Sequence, residues 1–418
     1  MSEQHEIQVP KEQLQKMRQE MRLKVIKEKK RRQRLLSSTV LFVVLFSFVM
    51  SIRMSPTIAS YVAKIPGFDP IVKMVAYDKG VKAILDNDYF EEVQATASAN
   101  GLTVTVVDVI ADQSGMVVSY EMDAPFDISK INFKEVQLLQ SGEDVLASKT
   151  YGWSEDKPTQ HVEGVIELLM KPTMTYQSKE FELILHFDDE KETKIEIPFT
   201  LKQDIQPEKV FAYNKEVEVN EQKFTIDNVR TSPLRIALDI TIDPSNTMQL
   251  LELADLKLID ENGEQWGSII NGITKSGSIR EGKYTLYMQS NYFEQPKQLT
   301  LAIGSVYAVP KGQDFIEVDF LKQKVVSKPD YYHWPIDVQG KEISILGDSS
   351  DSAGKILLNN ALSNGEIITP SSASFRYGEQ QFESYFTYEQ AEGLTKIDIN
   401  FYPNSIGENI EIPIPISE

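Results

Sequence analysis

The sequence predicts a mainly β protein: a single N-terminal transmembrane helix followed by two to three tandem antiparallel β-sandwich modules. Three observations predict it. Residues 35–52 form an uncharged, largely apolar run of eighteen. Beyond residue 95, short β-rich stretches alternate apolar and polar side chains between turn formers, and the order of those stretches recurs.

The first element is a basic tail, residues 1–34. Eleven Lys or Arg stand there against five Glu, a net of +6, which leaves 32 basic and 57 acidic residues, or −25, for the rest of the chain. Pro10 suits a first helical turn, and Leu14, Met17, Met21 and Val25 recur at three- and four-residue spacing with charge between them. So narrow an apolar stripe, on a tail with no core of its own, calls for something to lie on. Lipid and a cytoplasmic protein both answer that need.

The span comes next, residues 35–53. Eighteen helical residues rise roughly 27 Å, close to the ~30 Å hydrocarbon core of a bilayer. Lys29, Lys30, Arg31, Arg32 and Arg34 precede the run and Arg53 follows it. Basic residues beside a span stay on the cytoplasmic side, so the expected topology is N-terminus inside and the bulk of the chain outside. A cleaved signal peptide fits less well, because the basic lead is over thirty residues and no small-x-small site follows. The same basic cluster has no interleaved aromatics, which argues against a nucleic-acid partner.

Residues 54–94 read as a juxtamembrane segment broken by Pro56, Pro66-Gly67 and Pro70, with a short helix over 77–85. Module 1 is placed at 95–205. Its opening hairpin is 102–109 and 116–122 around Asp112-Gln113-Ser114-Gly115, and further strands are expected at 136–139, 162–169, 181–187 and 194–201. Module 2, at 206–328, repeats the pattern in 223–229 and 234–240, and 256–264 parallels 136–143. Module 3 occupies 329–418. The stretches 194–199, 315–320 and 409–414 read as one closing strand used three times.

Little in the chain suggests chemistry. With no cysteine there are no disulfides, thiol nucleophiles or thiolate metal sites, which suits an exported region in a cell that does not fold its surface proteins oxidatively. Gly347-Asp348-Ser349 ends an apolar strand as in Gly-Asp-Ser hydrolases, but no histidine follows His333 to take a serine proton. Ser154-Glu155-Asp156-Lys157 and Ser352-Ala353-Gly354-Lys355 match Ser-x-x-Lys without a Lys-Thr-Gly partner. His5, His161, His186 and His333 form no close pair, and Asp188-Asp189-Glu190 and Asp260-Glu261-Asn262-Gly263-Glu264 lack the spacing of a calcium loop. Trp153, Trp266 and Trp334 fall once per module, as packing residues would. The expectation is no enzyme, no catalytic residue, no cofactor and no metal.

Val9-Pro10-Lys11-Glu12, the basic run before the span, Ser55-Pro56, Ile65-Pro66-Gly67 and Asp78-Lys79-Gly80-Val81 together resemble a family of single-pass proteins of Gram-positive bacteria, domain of unknown function 4179, with a further β domain behind. The resemblance covers the tail through residue 201 and extends less closely over 206–326. It implies a membrane-bound antagonist of an extracytoplasmic-function sigma factor, held by Leu14, Met17, Met21 and Val25, with release through regulatory proteases. The tail departs from many such antagonists in lacking a His/Cys zinc module. The alternative expectation is a structural or adhesive surface protein whose tail only sets topology.

Overall fold

A computed structural model describes residues 79–415 except 146, 152–156, 171–175, 177, 268–274, 295, 349–354 and 378–380. Leu14, Met17, Met21, Val25, Lys29, Lys30, Arg31, Arg32, Arg34 and Arg53, with the apolar run itself, lie outside the described residues. Among the described residues no helix is long and apolar enough to cross a membrane. The described chain is mainly β, built from antiparallel sheets with one helix, α1 (Lys79–Asp86).

The first module pairs two sheets. One runs β1 (Glu91–Ala99), β2 (Leu102–Asp112), β3 (Gly115–Asp123), β7 (His161–Met170), β6 (Ala147–Tyr151). The other runs β5 (Glu143–Asp144), β4 (Phe133–Gln140), β8 (Glu180–Phe187), β9 (Lys194–Thr200). Strand periodicity places Leu102, Val104 and Val106 of β2 on one inner face and Ile195, Ile197 and Phe199 of β9 on the other, and they share one core. The module starts earlier than residue 95. Strand β1 opens at Glu91, inside the stretch expected to be juxtamembrane, because its small residues Ala95, Ala97 and Ala99 carry too weak an apolar signal to mark a strand.

The second module repeats that order. Strands β10 (Lys209–Val219), β11 (Gln222–Thr231), β12 (Arg235–Ile242), β17 (Lys283–Gln289) and β16 (Lys275–Ser278) form a sheet ordered like β1-β2-β3-β7-β6. The facing sheet centres on β18 (Leu299–Pro310). One side of β18 pairs with β13 (Met248–Ala254) and with β14 (Lys257–Asp260), which carries β15 (Gln265–Trp266). The other side pairs with β28 (Ser405–Ile414).

That last pairing corrects the sequence reading. Residues 315–320 were expected to close the second module; instead β19 (Phe315–Asp319) and β20 (Lys324–Ser327) join the third, in a sheet ordered β20-β19-β27-β23-β24, where β27 is Leu394–Ile399, β23 Leu358–Ser363 and β24 Glu366–Ile368. Residues 409–414, expected to close the third module, close the second. The facing sheet of the third is β21 (Ile336–Gln339), β22 (Glu342–Asp348), β26 (Gln381–Thr387), β25 (Ser372–Tyr377). The third module is therefore inserted between the last two strands of the second, and its strand order is its own rather than a third copy. Alternation tells which face a strand buries but not which neighbour it pairs with, and Ile316-Glu317-Val318 and Ile410-Glu411-Ile412 alternate alike.

Candidate functional site: the junction of helix α1 with the first two modules

The described residues concentrate buried polar chemistry where the first module meets the second. The turn Asp112-Gln113-Ser114-Gly115 between β2 and β3 is the centre. Asp112 is fully buried; its Oδ1 accepts from Ser114 N at 2.7 Å, Ser114 Oγ at 2.6 Å and Gly115 N at 3.1 Å. Its Oδ2 accepts from Leu234 N of the second module at 2.6 Å. One carboxylate thus caps its own turn and holds the neighbouring module. Ser232 Oγ lies 3.0 Å from Ser114 Oγ, and Asp112 also forms a bridge with Gln206 of the connecting segment.

Beside this carboxylate, Arg235, 2% exposed, extends Nη2 to within 3.2 Å of Glu167 Oε1 on β7. Its guanidinium lies 5.7 Å from the Tyr287 ring, while its Nε and Nη1 have no hydrogen-bond partner. Gly115 makes room for it: a Cβ there would sit 2.1 Å from Leu168 O and 3.2 Å from Arg235 Nη2. Leu169, Ala237 and Tyr287 form the apolar part of the contact. Next to it Arg230 forks onto Asp239 at 2.9 Å through two nitrogens and reaches Glu208 at 3.0 Å. Burial alone would push the Asp239 carboxyl up, but the Arg230 fork holds it below the usual carboxylate range.

Helix α1 and the residues just after it are together fastened to both modules here. Gly80, Val81, Ala83, Ile84 and Leu85 are buried. At its start Lys79 N donates to Gln289 Oε1 on β17 at 3.3 Å, and Lys79 Nζ reaches Glu264 at 2.6 Å while lying 5.2 Å from the Trp266 ring. Just past its end, Tyr89 OH donates to Ala111 O on β2 at 2.7 Å, and the Tyr89 ring packs 5.6 Å from Phe293. Burial, then the nearby Asp112 carboxylate, raises the Tyr89 phenol, which stays a neutral donor. Glu91 accepts from the backbone N–H groups of Lys202 and Gln203, so the strand after α1 also grips the start of the intermodule segment. A shallow recess lies between Tyr89, Val109, Leu201 and Ile205.

A second buried acid stands on the same sheet. Asp108, fully buried at a bulge in β2, has no partner for either carboxyl oxygen. Burial, then the charges of Glu92 and Glu121, pushes its carboxyl up to about 7.

The motifs singled out from sequence lie elsewhere. Gly347 is a packing glycine, since a Cβ would fall 2.3 Å from the Phe382 ring; Ser349 lies outside the described residues. Both Ser-x-x-Lys serines lie outside the described residues as well, and Lys355 pairs with Glu252 at 2.7 Å. Asp260 accepts from the N–H groups of Asn262 and Glu264, and Asp189 from Thr193, so both acidic strings cap turns. His161, half-exposed, lies 2.9 Å from Asp123 and 3.3 Å from Glu163, and the Asp123 hydrogen bond raises its imidazole above the ordinary value. His186 sits on β8, and His333 is exposed. Trp266 and Trp334 are buried in the second and third cores, and Trp153 lies outside the described residues. Among the described residues no three His, Cys, Asp or Glu side chains gather as metal ligands. The junction itself was missed in sequence; the Asp-x-Ser-Gly turn was legible, but its partner in a later module was not.

The fold and junction define a tandem antiparallel β protein in which helix α1 is bound into the second module and the residues just after it into the first. Residues 28–124 match a domain of unknown function, DUF4179, and residues 208–325 match a family of unknown function, DUF5643. The chain therefore carries a region similar to DUF4179 with a region similar to DUF5643 behind it. Asp112 and α1 fall in the first matched region, and Arg235, Glu264 and Gln289 in the second. No curated protein matches the sequence. A crystal structure of a conserved domain protein from Bacillus anthracis is similar at 15% identity and a TM-score of 0.38, over 57% of this chain and 84% of that one. A marsupial T cell receptor aligns at 11% identity and a TM-score of 0.14, over 75% of this chain and 99% of that one. Both superpositions are too loose to define a shared fold.

Proposed function

We propose that the protein is a membrane-anchored signalling regulator. Residues 35–53 span the membrane, the tail lies in the cytoplasm and the β-sandwich modules lie outside. Leu14, Met17, Met21 and Val25 contact an extracytoplasmic-function sigma factor, and the outer modules sense an envelope signal, with regulatory proteases ending the tether. The observation that carries this reading is that one matched region, 28–124, runs from the basic flank through the apolar run to α1 and the first hairpin, and that α1 is bound into the second module while Tyr89 and Glu91 just after it are bound into the first. The stretch that leaves the span is thereby connected to the outer sheets at one polar junction. A tail peptide used as bait, alongside the same peptide with Leu14→Asp and Met17→Asp, tests it: the wild-type peptide retains a sigma factor and the double variant does not. Equal retention by both, or by neither, sinks the sigma contact. A structural or adhesive role is the second reading. It is favoured by Leu321, Leu362, Ile367 and Leu394, large aliphatic side chains exposed on the third module.

A further inference from the structure

Strand β28 is held by more than its ladder. It pairs with β18 from Leu299↔Ile414 to Tyr307↔Ser405 and buries Ile412 and Ile414 in the second core. Gly407 passes so close under Val219 that a Cβ would lie 2.3 Å from its Cγ1. The hydroxyl of Tyr213 donates to Pro413 O, and Asn404 exchanges hydrogen bonds with Ala308 at 2.7 and 3.1 Å. Yet β28 is an edge strand, and Pro413 gives it one ladder donor fewer. The chain reaches it only after building the third module, whose core runs from Ile316 to Phe401. Arg280 of the second module fixes both ends of that insertion, through Asp314 and through Ile399 O at 2.8 Å.

The stretch of β18 that β28 covers is also the stretch that carries β14. Leu301 pairs with Ile412 on one side and with Leu258 on the other, and Leu299 with Ile414 and with Asp260. Asp260 caps the turn that presents Glu264, and Glu264 holds Lys79 at the start of α1. From β28 to α1 the path is therefore β18, β14, one turn and one ion pair.

We propose that β28 is a releasable strap. While the third module is folded, the strap closes the second module and keeps α1 seated; once the third module is cut away or pulled open, the strap leaves, β18 loses its cover and the Glu264 turn lets α1 go. This deepens the signalling reading, on which the membrane-side consequence rests, by assigning the third module as the part that receives the event.

The test uses the full-length protein in lipid nanodiscs, with a protease recognition sequence inserted between Pro403 and Asn404 and cleaved after folding. Hydrogen exchange is followed in mild denaturant, and uncut Ile412→Asp serves as the second perturbation. Cleavage and Ile412→Asp each speed exchange at least tenfold in residues 299–310 and in α1. Residues 115–123 and 161–170 do not change, and a synthetic peptide of residues 404–415 reverses the effect of the cut. Unchanged exchange in 299–310 after both perturbations overturns the strap, and acceleration there with α1 unmoved overturns the relay. Neither readout involves the tail's partner, so failure of the sigma contact and failure of the strap are separate results.

Discussion

Replacing Arg235 by methionine should loosen the junction by about 1–3 kcal/mol. Arg235 and Glu167 are buried at 2% and 10% side-chain exposure with 3.2 Å between nitrogen and oxygen. Removing one member of a buried pair costs about 3–5 kcal/mol, because the remaining charge loses its counterion in a place water does not reach. Two features of this pair lower the figure. Nε and Nη1 of Arg235 are buried without partners, a cost of roughly 1 kcal/mol or more each that the substitution removes. Methionine also keeps aliphatic contact with Tyr287, which lies against the guanidinium. The reporters are the amides of Leu234 and Gly115, both bonded to Asp112. Their native-state exchange should quicken roughly five- to a hundred-and-fiftyfold, at 1.36 kcal/mol per tenfold. Arg235→Met combined with Glu167→Leu should recover to within about 1 kcal/mol of wild type, since an apolar pair of similar volume replaces an ion pair at little cost. Exchange unchanged in the single variant, or a double variant that loses as much as the two singles added, would refute the claim that this pair couples the modules.

Asp108→Asn tests the buried acid. Its folded value is raised to about 7 from 3.8, so the stability linked to the neutral carboxyl is fully present below pH 4 and is lost as pH rises through 7. The substitution should therefore stabilise the first module at pH 8, by about 4 kcal/mol at most, and do little at pH 4; urea melts at both pH values decide it, and equal effects at the two contradict the assignment. His161 works with the same sign, its raised value placing the favourable contact with Asp123 below pH 6.5 and losing it above; an NMR titration should show the imidazole falling in Asp123→Asn and would fail the prediction if it stayed put. Gly115→Ala puts a methyl group into Leu168 O and should cost about 1–3 kcal/mol, read as a lowered melting temperature and faster Leu234 exchange; an unaffected melt would mean the close approach is not real.

Period-two alternation made β9 and the opening halves of β2 and β7 legible from sequence, whereas β3, buried on both faces, reads as a continuous β-rich run. Strand β1 escaped because alanine and serine carry no such contrast. The repeated order of the first two modules was visible in the hairpins, whereas the exchange of closing strands was not. Two segments of equal pattern compete for one edge there, and only the β18 ladder with Tyr213, Val219 and Asn404 selects β28. The junction was half legible. Asp112 stands in a recognisable turn, but its bond to Leu234 joins residues 122 positions apart, and a buried Arg on a strand looks like any exposed one until its neighbours are known.

The central claim is that the tail reports to transcription what the outer modules experience. It is tested most directly by replacing residues 2–28 with an unrelated basic stretch, which keeps Lys29 to Arg34 and the apolar run, and then profiling transcripts. A regulator predicts a reproducible change in transcription with abundance and topology preserved. An unchanged profile in a correctly inserted protein would contradict it and leave the adhesive reading standing.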